Sequence, residues 1–188
     1  MVRSRIAGTG HFLPERILTN KDLESLCDTT EEWIHQRTGI EQRHAAQPGD
    51  GASDLATPAV RRALESAGIA AADVDLLICS TTTPDYIFPA TACVVADNLG
   101  MGTTPAFDVN AACSGFMYGL ATADAFIRGG VYKTIALVGS ELATNRVTYT
   151  KRDTAVIFGD GAGAAVLVRD ESGASDFIAS RAGVRPLS

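Results

Sequence analysis

The chain has 188 residues, and its Lys+Arg 16 against Asp+Glu 22 leave a formal net charge of −6, with 46% hydrophobic and 20% charged residues. That balance fits one globular domain with a substantial core and excludes a disordered tail. It also argues against a nucleic-acid binder, which needs a basic face, and no apolar run approaches the ~18–20 residues of a membrane helix.

Met1-Val2-Arg3-Ser4-Arg5 is not followed by the apolar core of a signal peptide, so the chain reads as a soluble cytoplasmic protein. Arg5 to Gly10 is the first expected strand, closed by Leu13-Pro14. Asn20 is placed as the cap of a short helix through Leu26, and Thr29-x-x-Glu32 has capping-box spacing for a second helix over Glu31 to Arg37. Gln47 to Gly51 is a polar loop. Leu55, Val60, Ala63, Leu64 and Ala67 then form a helical stripe that Gly68 ends.

Leu76 to Ser80 reads as a buried strand, and Ala90 to Leu99 as a helix stopped by Gly100. Ala106 to Val109 is another strand, followed by Cys113 and then by Phe116, Leu120, Ala123 and Ile127 at helical spacing up to Gly129-Gly130. Thr134 to Gly139 is a further strand. Ala155 to Phe158 and Ala164 to Val168 are read as two strands around a glycine-rich turn, joined too closely for a crossover and therefore antiparallel. Strands alternating with helices predict an α/β fold around a mostly parallel sheet.

Cysteines stand at 27, 79, 93 and 113, without a CxxC or a Cys/His pair, which argues against zinc and against a disulfide framework. Cys79 inside a strand and Cys93 inside a helical stripe read as core residues. Cys113, in Asn110-Ala111-Ala112-Cys113-Ser114-Gly115-Phe116, has two readings. One is a packed core thiol. The other is a nucleophile at a helix N-terminus, where backbone N–H groups favour the thiolate and small neighbours admit an acyl group.

His11, His35 and His44 are isolated and read as solvated or locally bonded. Trp33 and Arg37 share a helix face, either as a surface pair or as a flat aromatic and a cation suited to a nucleotide. Gly8-Thr9-Gly10 fails the dinucleotide fingerprint because Leu13 occupies the third glycine's place. Gly159-Asp160-Gly161-Ala162-Gly163 lacks the ending of a phosphate loop. It reads as a tight turn with positive φ values, or as a loop leaving room for a ligand.

Taken together, these segments resemble the N-terminal half of a β-ketoacyl-acyl carrier protein synthase III, the initiating condensing enzyme of type II fatty-acid synthesis. The matching stretches are Gly8-Thr9-Gly10 with Leu13-Pro14, Asp28 to Ile34 running into Arg37 to Ile40, Phe88-Pro89-Ala90, the Cys113 segment, and Ile157 to Ala164. The resemblance is collinear from about residue 4 to 180.

It implies one thiolase-like half of a five-layered α-β-α-β-α sandwich over residues 1–170, with 171–188 beginning a second half that is truncated or missing. It implies Cys113 as the acyl-accepting nucleophile and Trp33 and Arg152 as the pair that sandwiches the adenine of coenzyme A. Thr29 and Arg37 would lie around the same nucleotide, and Phe88 would reach across a homodimer to shape the partner's acyl pocket. No permanently bound cofactor or metal is implied; a coenzyme A thioester is the substrate and malonyl-acyl carrier protein the partner. The family's catalytic His and Asn have no counterpart here, so the chain reads as a fragment or one part of a split enzyme. Two other readings stay open: a secondary-metabolite ketosynthase or acyltransferase of the same superfamily, and a non-catalytic half that dimerises or binds coenzyme A.

Overall fold

A computed structural model describes residues 2–170 and Ser172. Five strands make the main sheet: β1 (Arg3–Phe12), β4 (Leu76–Ser80), β5 (Ala106–Val109), β6 (Thr134–Leu142) and β7 (Asp160–Asp170). Their order is β1-β7-β6-β4-β5. β4 runs parallel to both β5 and β6, and β7 runs antiparallel to both β6 and β1. Four of the five strands therefore point the same way. The sheet is mixed but mostly parallel, as expected.

Alternation along the strands sends side chains to two helical layers. Leu77, Cys79, Ala136, Val138, Ala164 and Val166 meet α3 (Ala52–Ala67) and α4 (Thr91–Asn98) on one face. Leu76, Ile78, Ile135, Leu137, Ala165 and Leu167 meet α5 (Gly115–Arg128) on the other. This α-β-α arrangement is the expected half of a thiolase-like sandwich.

The Gly8/Gly10 pair has a packing role. A Cβ at Gly8 would lie 2.4 Å from the Ala67 nitrogen, and one at Gly10 would lie 2.4 Å from the Ala59 oxygen. Glycine here lets the small-residue stripe of α3 rest directly on β1.

Several local expectations are corrected. Ala155 to Phe158 is not a strand; the chain forms the short helix α6 (Arg152–Ala155) and a turn before β7. The glycine-rich segment is not a positive-φ turn either, since Gly159, Gly161 and Gly163 are absent from the residues with positive φ. Gly161 and Gly163 lie within β7, paired with β6 and β1 on its two sides. Gly159 is small because a Cβ there would come 2.9 Å from the Arg43 Cβ.

α1 (Asn20–Glu24) is capped by Thr19, whose hydroxyl accepts from the Asp22 N–H, rather than by Asn20, which is buried. α2 (Glu31–Thr38) is capped by Thr30 rather than Thr29, its hydroxyl accepting from the Trp33 N–H at 3.2 Å. The short antiparallel pair β2 (Ile17–Thr19) and β3 (Gln42–His44) was not anticipated. Cys93 is exposed rather than core; its thiol reaches the carbonyl of Ala106 on β5, the strand at the border of the described sheet. The segment 171–188, expected to begin a second half, lies outside the described residues apart from Ser172.

Candidate active site

The loops after β4, β5 and β6 leave the sheet at the carboxyl ends of its three parallel strands, the end at which parallel α/β sheets bind ligands. Cys113 stands here. After β5 the chain turns through Ala112, a non-glycine residue at φ 47°, into a short 3-10 turn (Ala112–Ser114), and then enters α5. Such a φ costs on the order of 1–3 kcal/mol and persists only where the surroundings hold it. Part of that hold is Gly115: a Cβ there would fall 2.1 Å from the Ser80 Oγ, so glycine lets α5 start against the end of β4. The outcome is an exposed thiol on a strand-to-helix elbow.

The other thiols contrast with it. Cys79 is fully buried, and burial, with Asp108, Asp85 and Glu141 adding to it, pushes its thiol well above the usual range. Burial likewise raises Cys27. Cys93 is exposed, and its thiol donates to the Ala106 carbonyl at 3.6 Å.

Carboxylates brace the loops around the elbow. Asp108, on the same strand as the approach to Cys113, accepts from the Thr91 and Ala92 N–H groups, both at 2.8 Å. It caps α4 in place of Ala90, which has no side chain to do so. This fixes the end of the β4–α4 loop, whose Tyr86, Ile87 and Phe88 are exposed; Phe88 is 87% accessible. Glu141 at the end of β6 accepts from the Thr82 N–H and hydroxyl and from the Thr83 hydroxyl, tying the β6 and β4 loops together. Those loops line a cleft of ≈540 Å³ with Thr82, Thr83, Arg146, Lys151 and Phe158 among its walls.

A second group assembles around the single tryptophan. The Arg37 guanidinium, one helical turn along α2, lies 4.8 Å from the Trp33 ring centroid. Arg152, at the start of α6, lies 4.4 Å from the same centroid and donates to the Asp28 carbonyl at 3.2 Å. Thr29 is next in the chain, and its hydroxyl is buried without a hydrogen-bond partner among the described residues. Thr29, Trp33, Arg37 and Arg152 thus form one cluster, beside a small hollow of ≈220 Å³ lined by Asp28, Thr150 and Arg152. Beneath it Leu23, Ile34 and Val156 form a small apolar cluster against which Trp33 and Tyr149 pack.

Sequence reasoning did not single out the residues that hold these parts in place. Besides Asp108 and Glu141 they include Asp160, which accepts from the Ala46 N–H and from the Thr144 N–H and hydroxyl. Arg43 is another. Buried charged residues interrupt an apolar pattern without announcing their partners, so periodicity could not find them. Among the described residues no group of His, Cys, Asp and Glu is arranged to hold a metal ion, and no helix is long and apolar enough to cross a membrane.

Comparison with known proteins bears on the whole arrangement. The sequence profile of the family described as 3-oxoacyl-[acyl-carrier-protein (ACP)] synthase III matches residues 107–186. A β-ketoacyl-[acyl-carrier-protein] synthase III of Xanthomonas campestris pv. campestris is 53% identical over 170 residues, covering 90% of this chain and 52% of that protein. The crystal structure of the synthase III of Aquifex aeolicus superposes with a TM-score of 0.88 at 44% identity, covering 90% of this chain and 55% of that one. A priming β-ketosynthase of a polyketide biosynthetic pathway superposes with a TM-score of 0.86 at 37% identity, covering 89% of this chain and 50% of that one. The chain spans about half the length of the curated relatives it matches. By sequence and by fold, the chain is similar to the N-terminal half of the β-ketoacyl-[acyl-carrier-protein] synthase III proteins.

Proposed function

We propose that this chain carries the nucleophile and the coenzyme A site of a β-ketoacyl-acyl carrier protein synthase III. The observation that carries the reading is the exposed Cys113 on its strand-to-helix elbow. The Cys113 thiolate attacks the carbonyl carbon of a short acyl-CoA, N–H groups at the elbow steady the oxyanion, and the thiolate of coenzyme A leaves as the acyl–Cys113 thioester forms. Trp33 and Arg152 sandwich the adenine, and Thr29 and Arg37 line the same nucleotide. The aromatic face and the two cations at Trp33 support this assignment.

In the second step malonyl-acyl carrier protein loses carbon dioxide, and its enolate attacks the acyl thioester and frees the Cys113 thiol. The His and Asn that assist this step in the family have no counterpart in these 188 residues. Arg146 and Lys151, which line the cleft, offer positive charge to an acidic carrier protein. The chain acts as a homodimer in the cytoplasm, with Phe88 inserting into the partner's acyl pocket. Support for that comes from β5, which has no second neighbour among the described residues, and from the exposed Tyr86-Ile87-Phe88 loop. No permanently bound cofactor takes part.

The test is acyl loading. Intact-mass analysis after incubation with acetyl-CoA is expected to find one acetyl group, lost in Cys113→Ala. Release of carbon dioxide from malonyl-carrier protein separates condensation from simple transfer, and no acetyl transfer at all would leave a dimerising or coenzyme A-binding module. The polyketide priming enzyme among the similar structures keeps secondary metabolism as the second reading, and a preference for longer or branched acyl-CoA donors would favour it.

A further inference from the structure

Arg43 is buried, and none of the ion pairs among the described residues includes it. Its guanidinium is met by oxygens that carry no formal charge. Nη1 donates to the Leu18 carbonyl at 3.2 Å, and Nη2 donates to the Asn20 side-chain oxygen at 2.9 Å and to the Val156 carbonyl at 3.1 Å. Asn20 in turn donates from Nδ2 to the Ile40 carbonyl at 2.6 Å. A buried cation without a counter-ion costs several kcal/mol unless hydrogen bonds offset the loss of water. An apolar residue would fill the same space at lower cost if stability were the only use.

The acceptors reveal another use. Leu18 and Asn20 belong to β2 and α1, and Ile40 lies just beyond α2, the helix that carries Trp33 and Arg37. Val156 directly follows α6, the helix that carries Arg152. Nη2 therefore bridges α1 and the residue after α6, and the Asn20 amide carries the link on to the residue just beyond α2. The Arg43 stem is held against Gly159, where a Cβ would come within 2.9 Å of the Arg43 Cβ and 3.2 Å of the His44 oxygen. The apolar cluster of Leu23, Ile34 and Val156 joins the same three segments, but its contacts are non-directional. A planar fork of N–H donors sets both distance and angle.

We infer that Arg43 is a positioning residue that sets the spacing between the Trp33 wall and the Arg152 wall, and so tunes affinity for the nucleotide part of coenzyme A. It does so without touching the ligand and without a part in the chemistry at Cys113. This inference rests on the coenzyme A reading of the Trp33 cluster.

The test uses the 188-residue chain as wild type, Arg43→Met and Arg43→Lys. Coenzyme A is titrated while the fluorescence of Trp33, the sole tryptophan, is followed. Acetyl loading of Cys113 is measured from acetyl-CoA and from acetyl-pantetheine, which has no nucleotide. Arg43→Met is expected to raise half-saturation by coenzyme A about tenfold, the order expected for lost hydrogen bonds to a charged group. It should also shift the Trp33 emission of the free chain while loading from acetyl-pantetheine stays within about twofold. Arg43→Lys, which keeps charge and part of the reach, should recover some of the affinity. Unchanged half-saturation in Arg43→Met overturns the inference. So does equal loss with both donors, which would assign Arg43 to general stability; if Arg43→Met does not fold, the same comparison is made with Arg43→Lys. A wild-type chain that loads from acetyl-pantetheine but never saturates with coenzyme A overturns the coenzyme A reading itself, and the inference with it.

Discussion

Cys113 stands at the end of a strand in a sheet that α3, α4 and α5 cover on both faces, whereas Trp33 and Arg152 stand on short helices that share three buried apolar residues. The elbow is held by continuous packing: Gly115 against Ser80, and Gly119 placed so that a Cβ would come 2.5 Å from Leu137 Cδ1. The Trp33 cluster is held by few contacts between segments far apart in the chain, with Arg43 and Asn20 as its polar links. A nucleophile has to stay within a few tenths of an ångström of a productive geometry, which suits the sheet. On the proposed coenzyme A reading, a site that admits and releases a nucleotide suits a lightly braced pair of helices.

The largest separation between the two regions is chemical. Cys113→Ala is expected to abolish acyl loading while leaving coenzyme A titration of Trp33 unchanged. Alanine at Cys27, Cys79 or Cys93 should preserve loading in chains that fold. Iodoacetamide at neutral pH should label Cys113 first, with the exposed Cys93 as the competitor to watch.

The next effect falls on the sheet. Gly8→Ala places a Cβ 2.4 Å and 2.5 Å from backbone atoms of Ala67 and Ala63, which cannot rotate away. Over-packing of this kind should destabilise the chain by about 3 kcal/mol, read as a lower urea midpoint with the Trp33 response to coenzyme A retained below the transition. Trp33→Ala then tests the other region. It should weaken acetyl-CoA by about 1–2 kcal/mol through lost stacking and cation–π contact, with loading from acetyl-pantetheine nearly unchanged. Equal damage to both donors would move Trp33 into the structural core.

The smallest effect is a pH dependence. Burial raises the Cys79 thiol in the folded state, so the native chain holds that proton more tightly than the unfolded one. The stability this contributes is complete below the unfolded thiol value, about 8.5, and is lost as pH rises through the raised folded value. Urea midpoints should fall above that pH, and Cys79→Ala should show a shallower fall from its own lower starting point. An identical slope in both chains would remove Cys79 as a source of the alkaline loss.

The same contrast explains what the sequence could disclose. The sheet strands from Leu76 to Gly139, the α5 stripe and the elbow at Cys113 were legible because each is set by local period and by small residues at a junction. The sequence predicts a strand over Ala155 to Phe158 and a turn over Gly159 to Gly163, and the structure has neither, while the strand expected over Ala164 to Val168 lies within β7. Glycines there mark close approaches to Arg43 and Leu13 rather than positive φ, and a glycine by itself does not distinguish the two. Thr30 rather than Thr29 caps α2 because adjacent threonines offer the same chemistry, and only the entry of the chain decides between them. The stacking of Arg152 on Trp33 joins residues more than a hundred positions apart, and no local pattern encodes it; only the family resemblance pointed there. Arg43, Asp108, Glu141 and Asp160 stayed hidden for the same reason.

The central claim is that acyl groups brought on coenzyme A are taken up by Cys113. The most direct measurement is peptide-resolved mass spectrometry of the wild-type chain after incubation with acetyl-CoA, with Cys113→Ala run in parallel. The account predicts one acetyl group, on the peptide containing Cys113, absent from the variant and sensitive to Trp33→Ala at low acetyl-CoA. Acetyl on Cys93 instead, or no acetyl on a chain that still binds coenzyme A, would contradict it.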